Sequence, residues 1–285
     1  MIITVNKAVA SGNRVADVFE INSSMHFNEQ IPENTSYKSN EAVTFSNVSL
    51  TYQNGGEEAL SDIDFQVKSG QTIGIIGGTG SGKSSVVNMI ARFYDATKGA
   101  VLINGINVKD YPASVLHEKV GVVMQKAVLF KGNIEENLKW GKIDASKEEM
   151  EAAIKAAQAD DIVKDKGGLS AKIAQEGKNL SGGQRQRMTI ARALVKKPEI
   201  LILDDSASAL DMATDARLRK ALKELDYRPT VFIVSQRTSA IQSADQIIVL
   251  DDGKLVGKGT HEELLKECEV YNEIYYSQYK REVDA

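Results

Sequence analysis

Residues 72–85 read Thr72-Ile73-Gly74-Ile75-Ile76-Gly77-Gly78-Thr79-Gly80-Ser81-Gly82-Lys83-Ser84-Ser85. Thr72–Ile76 has the length and apolar content of a fully buried strand, and a helix is expected from about Lys83 to Phe93. The turn between them fits G-x-x-x-x-G-K-[ST], in the strand–turn–helix setting that pattern requires. Its physics is direct. Glycines let a backbone wrap closely around phosphates with its N–H groups turned inward. A helix N-terminus adds partial positive charge. Lys83 reaches β- and γ-phosphates, and the Ser84 hydroxyl can ligate Mg²⁺. The alternative is a glycine-rich turn carrying a surface lysine. A dinucleotide fingerprint does not fit, because Lys83 stands where a third glycine belongs.

Working outward, packed structure is expected from Glu41. Val43, Phe45, Val48 and Leu50 suggest strand half-buried on one face. After a turn at Asn54-Gly55-Gly56, Ile63, Phe65 and Val67 alternate strictly. Val101–Ile103, Val120–Val123, Ile200–Leu203 and Val231–Val234 read as further short strands, and Ile247–Leu250 with Lys254–Lys258 as a hairpin around Asp251-Asp252-Gly253. Residues 146–164 are rich in Lys, Glu and Ala, which predicts helix. Gly182–Lys197 predicts another, with Met188, Ala191 and Leu194 on one face and Pro198 beyond its end. Buried strands alternating with helices imply an α/β fold: a largely parallel sheet with helices on both faces, and an antiparallel portion on the N-terminal side. Residues 1–21 are loosely helical in spacing, and residues 22–40 have linker composition. The C-terminal run Tyr271–Lys280 predicts a helix packed through its tyrosines.

Composition sets outer limits. The chain has 285 residues, 42% hydrophobic and 26% charged, which excludes a mostly disordered or collagen-like chain. With Lys+Arg 35 and Asp+Glu 39 the net charge is -4. That argues against broad nucleic-acid binding, which is driven by phosphate neutralisation. The single cysteine, Cys268, excludes an intrachain disulfide and favours a reducing compartment. No run approaches the roughly 18 apolar residues of a membrane span, and the first residues lack a signal-peptide pattern. The chain by itself is therefore expected neither to cross a membrane nor to be exported.

Two further motifs carry chemistry. Ile200-Leu201-Ile202-Leu203-Asp204 is a buried strand ending in a carboxylate, which beside the phosphate turn can hold Mg²⁺ through water. Leu180-Ser181-Gly182-Gly183-Gln184 opens a helix with a serine and two glycines. It reads either as a simple N-cap by Ser181 or as a second anion cradle. One nucleotide needs one phosphate loop, so the second cradle suggests a nucleotide held by another copy or a partner.

With these motifs in this order, the chain resembles the nucleotide-binding domain of an ATP-binding cassette (ABC) transporter, over about residues 41–270. Leu180–Gln184 matches the signature and Ile200–Asp204 the Walker B strand. The resemblance implies a P-loop NTPase (RecA-like) core with an antiparallel β portion and a helical subdomain at about 126–180. It also implies a head-to-tail dimer sandwiching two ATP molecules with Mg²⁺, each between one chain's phosphate loop (Gly77 to Ser85) and the other chain's Ser181, Gly182, Gly183 and Gln184. Tyr52 matches the aromatic residue that stacks on adenine, against a plain reading as a strand-edge aromatic. Gln125 matches the glutamine that touches Mg²⁺ and senses the transmembrane domain, so Ser84, Gln125 and Asp204 form the expected metal set. Ser208-Ala209-Leu210-Asp211 matches a loop that crosses the dimer interface, and Gln175-Glu176-Gly177 a segment that touches coupling helices in exporters. The stretches QKAVLFKGNIEENLKWG and ADQIIVLDDGKLVGKGTHEELL are similar to the multidrug and lipid exporter branch. On that resemblance, residues 1–40 are a linker following a transmembrane domain, residues 41–285 are the nucleotide-binding domain, and the place of action is the cytoplasmic face of the cell membrane.

Two positions depart from the family's pattern. The general base after the Walker B aspartate is usually Glu and here is Asp205. The switch position after Val231–Val234 is usually His and here is Gln236. Asp205 is one methylene short, on the order of 1 Å, and such a displacement costs on the order of a hundredfold in rate. Gln236 can hydrogen-bond a γ-phosphate but can neither carry charge nor shuttle a proton. With Lys83 and the phosphate loop intact, ATP binding is expected to survive and hydrolysis at this chain's own site to be slow, unless the backbone shifts to compensate. This combination resembles one half of a heterodimeric exporter whose non-identical partner carries the intact Glu and His. The rival readings are a soluble ABC ATPase with no transport role and a purely regulatory ATP-binding subunit.

Overall fold

The computed structural model describes residues 2–20, 25–32, 40–53 and 55–279. In chain order, α1 (Ile2–Glu20) is followed by β1 (Glu41–Leu50), β2 (Leu60–Lys68), β3 (Thr72–Gly77), α2 (Lys83–Ile90), β4 (Lys98–Ile103) and β5 (Ile106–Asn107). Next come α3 (Ala113–Lys119), β6 (Val120–Val123), β7 (Gly132–Asn133), α4 (Ile134–Lys139), α5 (Lys147–Ala156), α6 (Asp160–Lys166) and β8 (Lys172–Ile173). The rest is α7 (Gly182–Leu194), β9 (Ile200–Asp204), α8 (Met212–Lys223), β10 (Thr230–Val234), α9 (Thr238–Ile241), β11 (Gln246–Asp251), β12 (Lys254–Gly259), α10 (His261–Glu267) and α11 (Glu269–Gln278).

The central sheet has the order β12-β11-β3-β10-β9-β6. It is parallel from β11 to β6, and β12 closes one edge as the antiparallel arm of a hairpin. An antiparallel sheet, β2-β1-β4-β5, lies on one side. The expected parallel sheet, hairpin and N-terminal antiparallel portion are all present. Strand periodicity sorts the core. Ile200 and Ile202 of β9, with Phe232 and Val234 of β10, point to a cluster shared with the antiparallel sheet and α2. Leu201, Leu203, Val231 and Ile233 alternate to the other face, against α7, α8, α10 and α11. A parallel sheet covered on both faces needs such continuous apolar strands.

Four local readings change. Residues 146–164 form two helices, because Gln158 sits in the left-handed region (φ 57) and reverses the chain between α5 and α6. Ala157 and Ala159, both fully buried, make that reversal compact. The helix after the glycine-rich turn ends at Ile90, before Arg92 takes φ 51 and pairs with Asp95 at 2.9 Å. The helix expected over Gly182–Lys197 ends at Leu194. Strand β1 is buried on both faces over Ala42–Phe45, because the antiparallel sheet is itself covered. Of the turn at residues 54–56, Asn54 lies outside the described residues, and Gly55 N–H donates to Tyr52 O at 2.8 Å. Lys280 of the C-terminal run lies outside them as well. Between residues 126 and 180 the structure holds α4, α5, α6 and the short β7–β8 pair. Among the described residues no helix is long and apolar enough to cross a membrane.

Candidate functional site

The site is built where strands end. β3, β9 and β10 are hydrogen-bonded neighbours, so the loops leaving them open at one edge of the sheet, where ligands bind in open α/β folds. From β3 comes the glycine-rich loop, from β9 the pair Asp204-Asp205, from β10 the segment Ser235-Gln236, and from β6 the residue Gln125. One cavity of about 210 Å³ is lined by side chains or backbone of Thr79, Gly80, Lys83, Ser84, Gln125, Asp204, Asp205, Val234, Ser235 and Gln236. All three predicted catalytic residues and the whole predicted metal set therefore meet there.

The glycines earn their places sterically. Gly82 has φ 94, and a Cβ on it would sit 2.5 Å from Leu60 Cδ2. It starts α2 with no side-chain cap, which leaves the first turn's N–H groups to a ligand. Lys83 Nζ donates to the carbonyls of Gly77 (3.0 Å) and Gly78 (2.5 Å) and to Ser81 Oγ (3.3 Å), so the ammonium lies within its own loop. Burial pushes its pKa down, with Asp204 and Asp205 acting against that. Burial likewise raises the Asp204 carboxyl, partly offset by the hydrogen bond from Ser84 Oγ to Asp204 Oδ1 at 3.2 Å. Asp205, at φ 44, donates its N–H to Val234 O at 2.9 Å, which ties β9 to β10 and leaves its carboxylate facing Gln125. Gln125 Nε2 donates to Asp205 Oδ2 at 3.1 Å.

Ser84, Asp204 and Gln125 offer a hydroxyl, a carboxylate and an amide oxygen, the donor chemistry of a hard divalent cation. Among the described residues no group of three or more His, Cys, Asp or Glu could hold a metal. A sparse oxygen set of this kind suits Mg²⁺, which keeps waters and takes one or two carboxylates plus substrate phosphates.

The other predicted residues lie outside this cavity. Tyr52 is half-buried after β1; its hydroxyl is 2.7 Å from Ser85 Oγ and its ring meets Tyr94 edge-on at 4.8 Å. An aromatic ring thus stands beside the first turn of α2. Ser181 caps α7 through a capping box: Gln184 N–H donates to Ser181 Oγ at 3.2 Å, and Ser181 N–H donates to Gln184 Oε1 at 2.9 Å. Gly182 has open space where a Cβ would stand, and a Cβ on Gly183 would lie 3.0 Å from Ala209 O. Asp211 is the N-cap of α8, with Oδ1 accepting from Thr214 N–H at 2.9 Å, and that bond lowers its pKa. A larger cavity of about 990 Å³, lined by residues of α4, α5 and α6, contains none of the predicted site residues.

Two contacts at the cavity lay beyond sequence reasoning. One is the Gln125–Asp205 bond; the other is the attachment of the 235–238 segment to Gln278 of α11. Their partners are separated by 80 and 40 residues, beyond any local pattern.

Known proteins resemble this chain over most of its length. The family model described as ABC transporter matches residues 60–208. An uncharacterized ABC transporter ATP-binding protein of Bacillus subtilis (strain 168) is 42% identical over 283 residues, covering 99% of this chain and 48% of its own length. An ATP-dependent lipid A-core flippase of Haemophilus influenzae (strain 86-028NP) is 40% identical over 252 residues, covering 87% of this chain and 43% of its own. Among solved structures, a bacterial Atm1-family ABC exporter with ATP bound superposes with a TM-score of 0.86 at 31% identity, over 97% of this chain and 48% of that one. The chain spans about half the length of the curated relatives it matches.

Proposed function

The chain belongs to the ABC transporter family, in which it is an ATP-binding domain of P-loop NTPase fold, and from that premise we propose that it binds Mg·ATP at the cavity between β3, β9 and β10 as the motor half of an exporter, with slow hydrolysis at its own site. The observation that carries the reading is the convergence of Lys83, Ser84, Gln125, Asp204, Asp205 and Gln236 on one cavity. At about 210 Å³ it is smaller than the roughly 300–1,000 Å³ of an enclosed small-molecule site. It suits the phosphate end of a nucleotide, with the base outside, toward Tyr52.

Each residue then has a task. Backbone N–H groups of the glycine-rich loop and the uncapped start of α2 hold phosphate oxygens. Lys83 exchanges its bonds to Gly77 O, Gly78 O and Ser81 Oγ for the β- and γ-phosphates. Ser84, Asp204 and Gln125 hold the cation, which when bound neutralises charge on the phosphates. Asp205 stands where a general base stands, one methylene short and hydrogen-bonded to Gln125. Gln236 offers a neutral donor to the γ-phosphate.

The surroundings extend the reading. Relatives of about twice the length include a lipid A-core flippase and a putative multidrug export protein. They support placing this domain beside transmembrane domains on the cytoplasmic face of a membrane. The open space beside Gly182 supports a role for Ser181–Gln184 in completing a site on a second, non-identical nucleotide-binding domain, while the capping box engages the N–H groups of Ser181 and Gln184 within this chain. ATP-driven closure of such a pair, reversed by hydrolysis, is a ligand-biased two-state switch.

The test is equilibrium binding of Mg·ATP to the chain and to Lys83→Ala. Removing a charge-assisted donor from buried phosphates costs about 1.5–3 kcal/mol, so the variant is expected to bind roughly tenfold to a hundredfold more weakly. Equal affinity in both proteins would place the nucleotide elsewhere and refute the reading.

A further inference from the structure

The segment that follows β10 carries Gln236 into the phosphate cavity, and it is held from behind by the C-terminal helix. Gln278, in the last turn of α11, uses both ends of its carboxamide on this segment. Its Oε1 accepts from Thr238 N–H at 3.0 Å and Thr238 Oγ1–H at 3.1 Å. Its Nε2 donates to Gln236 O at 2.7 Å. The contact has a local cause. Helix α9 starts at Thr238 with Arg237 as N-cap, and Arg237 makes no side-chain cap bond. Gln278 supplies that cap from forty residues away, to a residue that is fully buried. Other anchors of the segment include Ser235 N–H to Ile75 O of β3 at 3.1 Å, and the local bond from Arg237 N–H to Ser235 Oγ at 3.0 Å.

The helix that presents Gln278 is itself fixed. Tyr271 is fully buried, and its hydroxyl is 2.8 Å from His261 Nδ1 on α10. Asn272 Nδ2 donates to Leu265 O at 2.7 Å and to Cys268 O at 3.2 Å, locking α11 onto α10. Tyr275 and Tyr279 stack at 4.7 Å along the same helix. A rigid arm therefore ends in a side chain that grips the backbone on both sides of Arg237, one residue beyond the cavity-lining Gln236.

We propose that Gln278 is a positioning residue of the nucleotide site: through the carbonyl of Gln236 and the N–H of Thr238 it aims residue 236 at the γ-phosphate, and so makes α11 part of the ATP-sensing machinery. This rests on the reading of the cavity as the Mg·ATP site. Gln278 touches no phosphate itself, so its effect should fall on ligands that carry a γ-phosphate and spare those that do not.

The experiment measures dissociation constants for Mg·ATP and Mg·ADP on the full 285-residue chain, on Gln278→Met, on Gln236→Ala and on the double variant, with melting temperatures for all four. Methionine matches the length of the side chain without its hydrogen bonds. Gln278→Met should weaken ATP by about fivefold, the effect of one lost hydrogen bond, and leave ADP within about twofold. In the Gln236→Ala background the same substitution should add nothing, because both act through residue 236. Equal changes for ATP and ADP, no change for either, or additive effects in the double variant would overturn the positioning role while leaving the nucleotide site standing. Failure of the unaltered chain to bind ATP at all would overturn the site reading and this inference with it.

Discussion

Asp205 shows how a single methylene is decided by its setting. Its backbone is fixed by the bond to Val234 O and by a left-handed φ of 44. Its carboxylate is engaged by Gln125. Neither feature extends the side chain, and the slow hydrolysis proposed for this site rests on that length. The meeting of Lys83, Ser84, Asp204 and Gln236 at one cavity was legible because motif and strand end fix which residues stand at that edge of the sheet. The Gln125–Asp205 bond was not, because it joins elements 80 residues apart. At this scale the glycine-rich loop gives a sharp expectation. Gly82→Ala places a Cβ 2.5 Å from Leu60 Cδ2 at φ 94, and a left-handed alanine alone costs about 1–2 kcal/mol. Urea unfolding should show at least that loss; an unchanged midpoint and slope would mean the loop relaxes freely.

Elements were readable where periodicity was strong and hidden where packing overrode it. Strand β10 and the hairpin β11–β12 follow directly from apolar alternation and turn residues. The break at Gln158 does not, because Lys, Glu and Ala favour helix throughout residues 146–164, and the reversal comes from burying Ala157 and Ala159. Helix α8 went unread, although Asp211 and Thr214 form its cap. For α7, Ser181→Ala removes a capping-box acceptor and should cost about 1 kcal/mol of stability, visible as a lower urea midpoint. For α11, the pH dependence has a definite sign. Burial pushes Tyr271 and Tyr227 up to about 12 in the folded chain, from 10.0. Below pH 10 both states carry neutral phenols and nothing changes. Between about 10 and 12 the unfolded chain ionises first, so stability falls as pH rises. Melting temperature should therefore drop over that window, and Tyr271→Phe should flatten part of the drop; a parallel curve would exclude Tyr271 as a contributor.

At the scale of the whole molecule, the alternation of strands and helices implied a parallel sheet with two covered faces, and the order β3-β10-β9-β6 within it explains why four segments open into one cavity. Strand order itself is not written in local periodicity; the phosphate turn and the carboxylate-ended strand constrained it through the family they resemble. The chain is about half of its relatives' length, and Ser181–Gln184 are not among the residues that line its own cavity. Mixing it with a nucleotide-binding domain that carries Glu and His at the corresponding positions should raise turnover above the sum of the parts. Ser181→Ala in this chain should abolish the gain while leaving its own ATP affinity unchanged; a persisting gain would exclude the signature as the donor. On the proposed function, this site binds Mg·ATP and turns it over slowly because of Asp205 and Gln236. Its most direct test is steady-state Mg·ATP hydrolysis by the chain beside its Asp205→Glu/Gln236→His variant, with ATP binding verified for both. The variant is expected to be faster by roughly tenfold or more, the scale of correcting a misplacement of about 1 Å. An unaltered chain that already hydrolyses ATP as fast as the variant would overturn that reading and make the chain a self-sufficient ATPase.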